Sequence, residues 1–332
     1  MSIRGTRFVV FVALALVATG CKGEARRASL STTTSSSTTT TSTSTTTTST
    51  TAAPPQPLAA GTKVVATRNG VIAPLVGVNP DGTVVITTPC GARASVAGVT
   101  AIGPVDIVLD PGHGGVESGA VGANGLAERT LNLAVANLTQ AALQRAGIRT
   151  LVTRTADYRV TLGQRAAIIK AAAPRAAISI HHNGGSDGPR DSPGTEVFYQ
   201  HASADSRRLA GLSYEEGFAA LKQYPGIAWQ ADRDAGAKAR LNNSGGDYYG
   251  MLRQPAPVVT VLSEGLFLSN PPEAELIART DVQTVEAEAI ARAIVRYFTT
   301  ADLGSGFTEA YPRTEPAGPG GGSGGCTDPP LQ

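Results

Sequence analysis

The chain has 332 residues, four histidines, three cysteines and a formal net charge of +2. So small a charge gives no global field for nucleic acid, and no basic run with interleaved aromatics appears. Only residues from about 61 to 300 have the composition to bury a large core, which leaves room for one main domain and a small accessory one.

The amino terminus reads as a targeting segment. Arg4 and Arg7 precede eleven apolar residues, 8–18, and Ala-Thr-Gly-Cys21 follows. Eleven residues are too few to span a bilayer of ~30 Å as a helix, and the order basic, apolar, small is that of a secretory signal over residues 1–21. The cysteine after small residues resembles a bacterial lipobox. It marks Cys21 as a lipidation site and the protein as anchored to the outer face of the cytoplasmic membrane, or else as secreted to the cell wall. Stable anchoring takes more than one acyl chain. Residues 22–60 are rich in Ser, Thr and Pro and cannot bury enough apolar area to offset their ordering entropy, so they read as a disordered tether. As flexible coil, about 40 residues span roughly 35 Å at ~5 to 6 Å times the square root of length.

Residues 61–103 alternate short apolar runs, 63–67 and 83–87, with turn signals at Arg68-Asn-Gly and Asn79-Pro-Asp-Gly. They predict a small β module packed as a cap on the main domain. From residue 104 to 300, strands and helices alternate, which predicts an α/β fold with a mainly parallel twisted sheet and helices on both faces. The apolar run 105–109 ends at Asp110-Pro-Gly-His113-Gly-Gly, a buried strand whose carboxyl end delivers an imidazole into a small-residue loop. Leu131, Val135, Leu138 and Ala142 recur at helical spacing up to Gly147, and a strand over 148–152 follows. Thr161 with Gln164 forms a capping-box pattern for the next helix. A strand at 176–181, another at 195–199 and a helix over 206–222 come next. Residues 232–247 are polar and Gly-rich and read as a long loop, 258–262 as the last core strand and 272–298 as a closing helix. Residues 301–332 read as a Gly/Pro-rich tail. Cys90 and Cys326 can pair in only one way once Cys21 is set aside, and a staple between them would give the tail a hold.

Three strand ends carry side chains suited to chemistry, and in open α/β sheets the crevice beyond those ends collects ligands. They bear His113, the pair His181 and His182, and Glu264. Neighbouring residues of a strand face opposite ways, so only one of His181 and His182 can reach the crevice, and the sequence does not choose between them. Taken by itself Glu128 is a helix-end charge. In the first turn after the His113 loop, however, its carboxylate is favoured by the helix dipole and can complete a set of two imidazoles and one carboxylate that leaves a fourth zinc position open. Glu264 ends an apolar strand, where an unpaired charge is costly without a task. Arg154, Arg165, Asn183 and the segment 240–249 are candidates for contact with substrate, and His201 reads as surface.

Together, Asp110-Pro-Gly-His-Gly-Gly, Glu128 at the head of a helix, Ser179-Ile-His-His-Asn, and Glu264 followed by Phe267-Leu-Ser-Asn resemble the zinc-dependent N-acetylmuramoyl-L-alanine amidases of the amidase type 3 family. The resemblance runs from about residue 105 to 298. It implies one Zn2+ per chain held by His113, Glu128 and His181, which selects His181 over His182, and it implies Glu264 as the catalytic glutamate. Thr153, Arg154 and Arg165 match positions that surround the family's cleft. The implied reaction is hydrolysis of the amide between the lactyl group of N-acetylmuramic acid and L-alanine, with Glu264 moving the proton. The implied partners are peptidoglycan or its muropeptide fragments, with the chain a monomer and no nucleic acid involved. Rival readings are another zinc hydrolase of the wall, a peptidase or a deacetylase, or an inactive lipid-anchored wall-binding protein. The chain departs from the family at Lys170 and Arg175, which replace common Asn and Asp, and at Gly265, which follows Glu264 immediately instead of one residue later. The β module and the Cys326 tail resemble actinobacterial members.

Overall fold

The apolar run before His113 forms strand β6 (Ile107–Pro111), every residue of which is buried. A strand covered on both faces reads as a continuous rather than an alternating run. The structure is a computed structural model that describes residues 58–185, 188–231, 235–312 and 324–332. The secretory signal, Cys21, nearly all of the tether and the Gly-rich stretch at 313–323 lie outside those residues. The described residues form one compact unit. Among the described residues no helix is long and apolar enough to cross a membrane.

The β module is an antiparallel sheet of β1 (Val64–Ala66), β2 (Ile72–Val78), β3 (Val84–Thr87), β4 (Arg93–Val96) and β5 (Thr100–Ala101), in the order β4-β3-β2-β1-β5. Its turns fall at the two predicted Gly-containing sites, where Gly70 bonds back to Thr67 and Gly82 to Asn79. Val65, Ala73, Val84, Ile86 and Val96 form its own apolar centre.

The main sheet is assembled from β6, β7 (Thr150–Val152), β8 (Ala176–Asn183), β10 (Glu196–Tyr199), β12 (Gly236–Lys238) and β14 (Thr260–Phe267) in the order β12-β10-β14-β8-β6-β7. Strands β7, β6, β8 and β14 run parallel, β10 runs antiparallel to β14, and β12 runs parallel to β10. Two short pairs lie outside it: β9 (Pro189–Arg190) with β11 (Trp229–Gln230), and β13 (Arg240–Leu241) with β15 (Tyr311–Pro312).

Strand alternation sorts the core into two layers. Ile107, Leu109, Ile178, Ile180 and Val261 face one way, into α1 (Glu128–Arg145), α3 (Ala204–Leu221) and α6 (Thr280–Thr299). Val108, Ala177, Phe198 and Leu262 face the other way, into α2 (Leu162–Ala172) and α4 (Gly250–Arg253), where Val64, Val71 and Ile72 of the β module join them.

Four local expectations are corrected. Thr161 makes no cap with its side chain, because its hydroxyl donates to the Pro89 carbonyl of the β module. The polar stretch read as a loop contains the edge strand β12, in which Lys238 is fully buried, and β13. The closing helix is two helices, α5 (Pro271–Ile277) and α6. The last residues are not loose. Cys326 is disulfide-bonded to Cys90, Asp328 accepts the Cys90 amide at 2.7 Å, Pro330 accepts from Asn69 at 3.1 Å, and Leu331 packs at the joint between the module and the α2 layer.

Asp110, at the end of β6, is completely buried, and its carboxylate accepts from Arg165 at 2.7 Å and from Ser179 at 2.8 Å. Burial works to raise its pKa, but the Arg165 charge and the bonds from Thr153, Arg165 and Ser179 hold it below the ordinary value. A depressed carboxyl contributes stability above its unfolded pKa of ~3.9 and loses it as pH falls through the folded value. Asp110→Asn is therefore expected to cost about 3 kcal/mol at pH 7 by leaving Arg165 uncompensated, with the gap to the parent closing below about pH 4. Denaturant melts at both pH values check this. Reducing the Cys90–Cys326 bond, which closes a loop of 236 residues, is expected to lower stability by about 2 to 4 kcal/mol, read as a fall in Tm.

Candidate metal centre

Beyond the carboxyl ends of β6 and β8 the backbone brings three predicted side chains together. Ligand atoms of His113, Glu128 and His181 all lie within 4.8 Å of one another. His113 Nε2 is 3.2 Å from Glu128 Oε2, and His181 Nδ1 is 2.9 Å from Glu128 Oε1. The imidazoles meet edge to face with centroids 4.9 Å apart.

Local chain geometry explains the convergence. His113 adopts φ 59°, a left-handed conformation that costs an L residue energy and needs support from its surroundings. A Cβ on Gly112 would lie 2.1 Å from the His181 ring, and one on Gly119 would lie 2.3 Å from Glu128 Oε2, so the small residues of the loop are where the rings and carboxylate pass. Two buried arginines supply the support. Arg154 donates to the carbonyls of Pro111, Gly112, Ala156 and Arg129, while Arg165 donates to those of Val160, Pro111 and His113 as well as to Asp110. Burial, with the Arg165 charge beside it, pushes Arg154 down to about 10. Arg154 and Arg165, expected to contact substrate, spend these donors on the backbone of the His113 loop, and Arg165 also lines the recess beside the imidazoles. Asn183 is likewise turned to a neighbour, donating to Glu196 Oε2 at 2.8 Å.

Strand alternation separates the two adjacent histidines. His181 shares the α2 side with Ala177, whereas His182 shares the other side with Ile178 and Ile180 and is buried among α1 and α6. His182 Nδ1 lies 2.8 Å from Asn132 Oδ1 and its Nε2 lies 3.1 Å from Glu286 Oε2. His201 stands apart, paired with Asp247 at 2.9 Å.

Glu128 is 4% exposed. Burial works to raise its carboxyl, but hydrogen bonds and charge from His113 and His181 hold it well below the usual carboxylate range. Burial lowers the pKa of His181, which favours the neutral imidazole a metal requires. The residues fit a divalent transition metal on two observations: the donors are two imidazole nitrogens and a carboxylate oxygen, and side-chain exposure rises from 5% at Glu128 to 17% at His181 and 29% at His113. The side of the cluster away from Glu128 is thus open to water, as a catalytic centre needs and a closed structural site does not. That side faces a recess of about 310 Å3 lined by His113, His181, Glu117, Tyr248, Tyr249 and Met251, among others.

Glu264 sits in register between His181 on β8 and Glu196 on β10. Its Oε2 is shut off from solvent and has no hydrogen-bond partner among the described residues. Burial first, then the negative charges of Glu128 and Glu196, push its carboxyl well above the usual range. Glu196 itself is paired with Lys238 at 2.7 Å. Sequence reasoning missed Glu196, Lys238, Asn132 and Glu286. Asn132 stands four residues after Glu128 on one helix, a spacing that would have located it. The others come from separate elements and carry no local signal.

Comparison with known proteins agrees with this arrangement. Residues 107–296 match the family model described as N-acetylmuramoyl-L-alanine amidase. The uncharacterized protein YqiI of Bacillus subtilis is 30% identical over 220 residues, covering 65% of this chain and 94% of YqiI. The N-acetylmuramoyl-L-alanine amidase AmiA of Salmonella typhimurium is 28% identical, covering 58% and 75%. The crystal structure of an N-acetylmuramoyl-L-alanine amidase from Clostridium difficile 630 superposes with a TM-score of 0.50 at 25% identity, covering 60% of this chain and 98% of that one. The matched span is more than half of the chain and carries every residue of the His-Glu-His cluster together with Glu264, so the chain belongs to the N-acetylmuramoyl-L-alanine amidase family.

Proposed function

We propose that this protein hydrolyses the amide between the lactyl group of N-acetylmuramic acid and L-alanine in peptidoglycan or its fragments, with one Zn2+ held by His113, Glu128 and His181. The observation that carries the reading is the convergence of those three side chains beside a buried carboxylate oxygen that has no partner. Bound zinc would supply a Lewis acid that acidifies water and polarises the scissile carbonyl. Glu264 takes the proton of the attacking water as its oxygen bonds to the carbonyl carbon. It then delivers that proton to the L-alanine nitrogen as the carbon–nitrogen bond breaks. Its raised pKa suits this transfer, because burial strengthens the hold of the carboxylate on the proton it takes from water before passing it on. Glu196 lies beside Glu264 in register and is bonded in turn by Asn183, and the recess beside the imidazoles admits the substrate.

Export fits this substrate. The amino-terminal pattern supports cleavage before Cys21, lipidation there, and a tether over residues 22–60 that carries a monomeric β module and catalytic domain into the wall. Intact-mass analysis of the membrane-extracted protein is expected to give a diacylated or triacylated Cys21 as the first residue. An unmodified cysteine would leave a secreted form.

Digestion of purified sacculi is expected to release intact stem peptides and free lactyl carboxylates, read by mass spectrometry, and a chelator is expected to stop it. Peptides cut within the stem would indicate a peptidase instead, and acetate release a deacetylase. Glu264→Gln is expected to retain one zinc per chain while turnover falls by about 10²- to 10⁴-fold, the usual contribution of a general acid–base group. Release at the parent rate by that variant would refute the role of Glu264.

A further inference from the structure

The mechanism leaves unused a chain of buried polar groups that runs from α6 through β8 to α1. Glu286 and His182 are 4% and 1% exposed, Asn132 is fully buried, and none of the three faces the crevice. Buried groups of this kind are costly unless each is satisfied, and here each is. Asn132 Nδ2 lies 3.2 Å from Glu128 Oε1 and 3.2 Å from the Gly112 carbonyl, both acceptors, so its Oδ1 is the atom turned to His182. That oxygen accepts, so His182 Nδ1 carries a hydrogen, and the contact between its Nε2 and Glu286 Oε2 is made through a second hydrogen held on one of those two atoms. The His182 amide also donates to Glu128 Oε1, at 3.1 Å.

We propose that Glu286, His182 and Asn132 form a positioning chain for the Glu128 carboxylate, holding Oε1 in place so that the cluster binds its metal tightly. The proposal rests on the reading of His113, Glu128 and His181 as a zinc site. Gly265 belongs to the same device. A Cβ there would lie 2.2 Å from Glu286 Oε1 and 3.5 Å from His182 Nε2, so the glycine directly after Glu264 makes room for the Glu286 carboxylate to reach the imidazole. The positioning chain also explains adjacent histidines on one strand: His181 reaches the cluster from one face, and His182 steadies Glu128 from the other.

Zinc affinity, measured by competition with a chromophoric chelator, and the Tm of the metal-free protein separate positioning from plain packing. Partners that orient metal ligands commonly contribute 10- to 100-fold in affinity. On that scale Asn132→Ala and Glu286→Ala are expected to bind zinc at least about tenfold more weakly. Glu286→Gln, which keeps a group able to accept from or donate to His182 Nε2, is expected to stay within about threefold of the parent, well inside that range. Should Glu286→Ala fail to fold, Gly265→Ala tests the same link, because it leaves every polar group in place and displaces only the Glu286 carboxylate; the same tenfold loss is expected. Folded variants that lower the metal-free Tm yet bind zinc as the parent does would overturn the chain and leave the metal reading intact. A parent protein that takes up no zinc would overturn both.

Discussion

The Glu128 carboxylate is the group on which the site depends. It is buried in the first turn of α1, where unsatisfied charge is costly and the helix dipole alone offers little compensation. Its two oxygens are reached by His113, His181, Asn132 and the amides of Ala120 and His182. The five donors come from three parts of the chain: the loop after β6, the end of β8, and α1 itself. A helix that began a residue later, or a loop with a Cβ at position 119, would leave the carboxylate buried without those donors. Fold and site therefore share a single requirement, that α1 start where the His113 loop can fold over it.

The backbone of that loop is held by arginines rather than by regular structure. His113 sits in a conformation that few residues tolerate, and the carbonyls on either side of it point into the protein, where an unpaired acceptor would be penalised. Arg154 and Arg165 answer several of them at once, which only a planar, multi-donor guanidinium can do. Asp110 then neutralises Arg165 from beneath. Lysine in either position would supply the charge but not the fork.

Much of this was legible in the chain, for reasons that can be stated. Strand ends at His113, His181 and Glu264 announce themselves because apolar runs stop there at residues with chemistry, and Glu128 is readable because it heads a helix next to such a loop. The choice between His181 and His182 needed the family resemblance, since alternation says only that they part company. The support that Arg154 and Arg165 give the His113 loop was not legible, because a sequence gives the charge of an arginine but not the carbonyls that will surround it. Strand β12 escaped notice for a related reason: Lys238 looks like surface until Glu196, more than forty residues earlier, is seen to bury with it. The tail after residue 300 reads as loose because its hold is a disulfide, two isolated hydrogen bonds and a few scattered apolar side chains rather than a periodic apolar face.

The distribution of charge near the strand ends sets Glu264 apart by contrast. Asp110 is matched to Arg165, Glu196 to Lys238, Glu286 to His182, and Glu128 to two imidazoles. Glu264 alone among these carboxylates has a buried oxygen without a partner, although the Lys238 and Arg240 charges lie close enough to moderate its rise in pKa. A protein could remove that penalty with one more hydrogen-bond donor, or with glutamine. That it keeps a carboxyl there, flanked in register by a candidate metal ligand and by a second carboxylate, suits the proton transfer proposed for it: burial and neighbouring negative charge raise its affinity for a proton, and an oxygen without a partner can hold one.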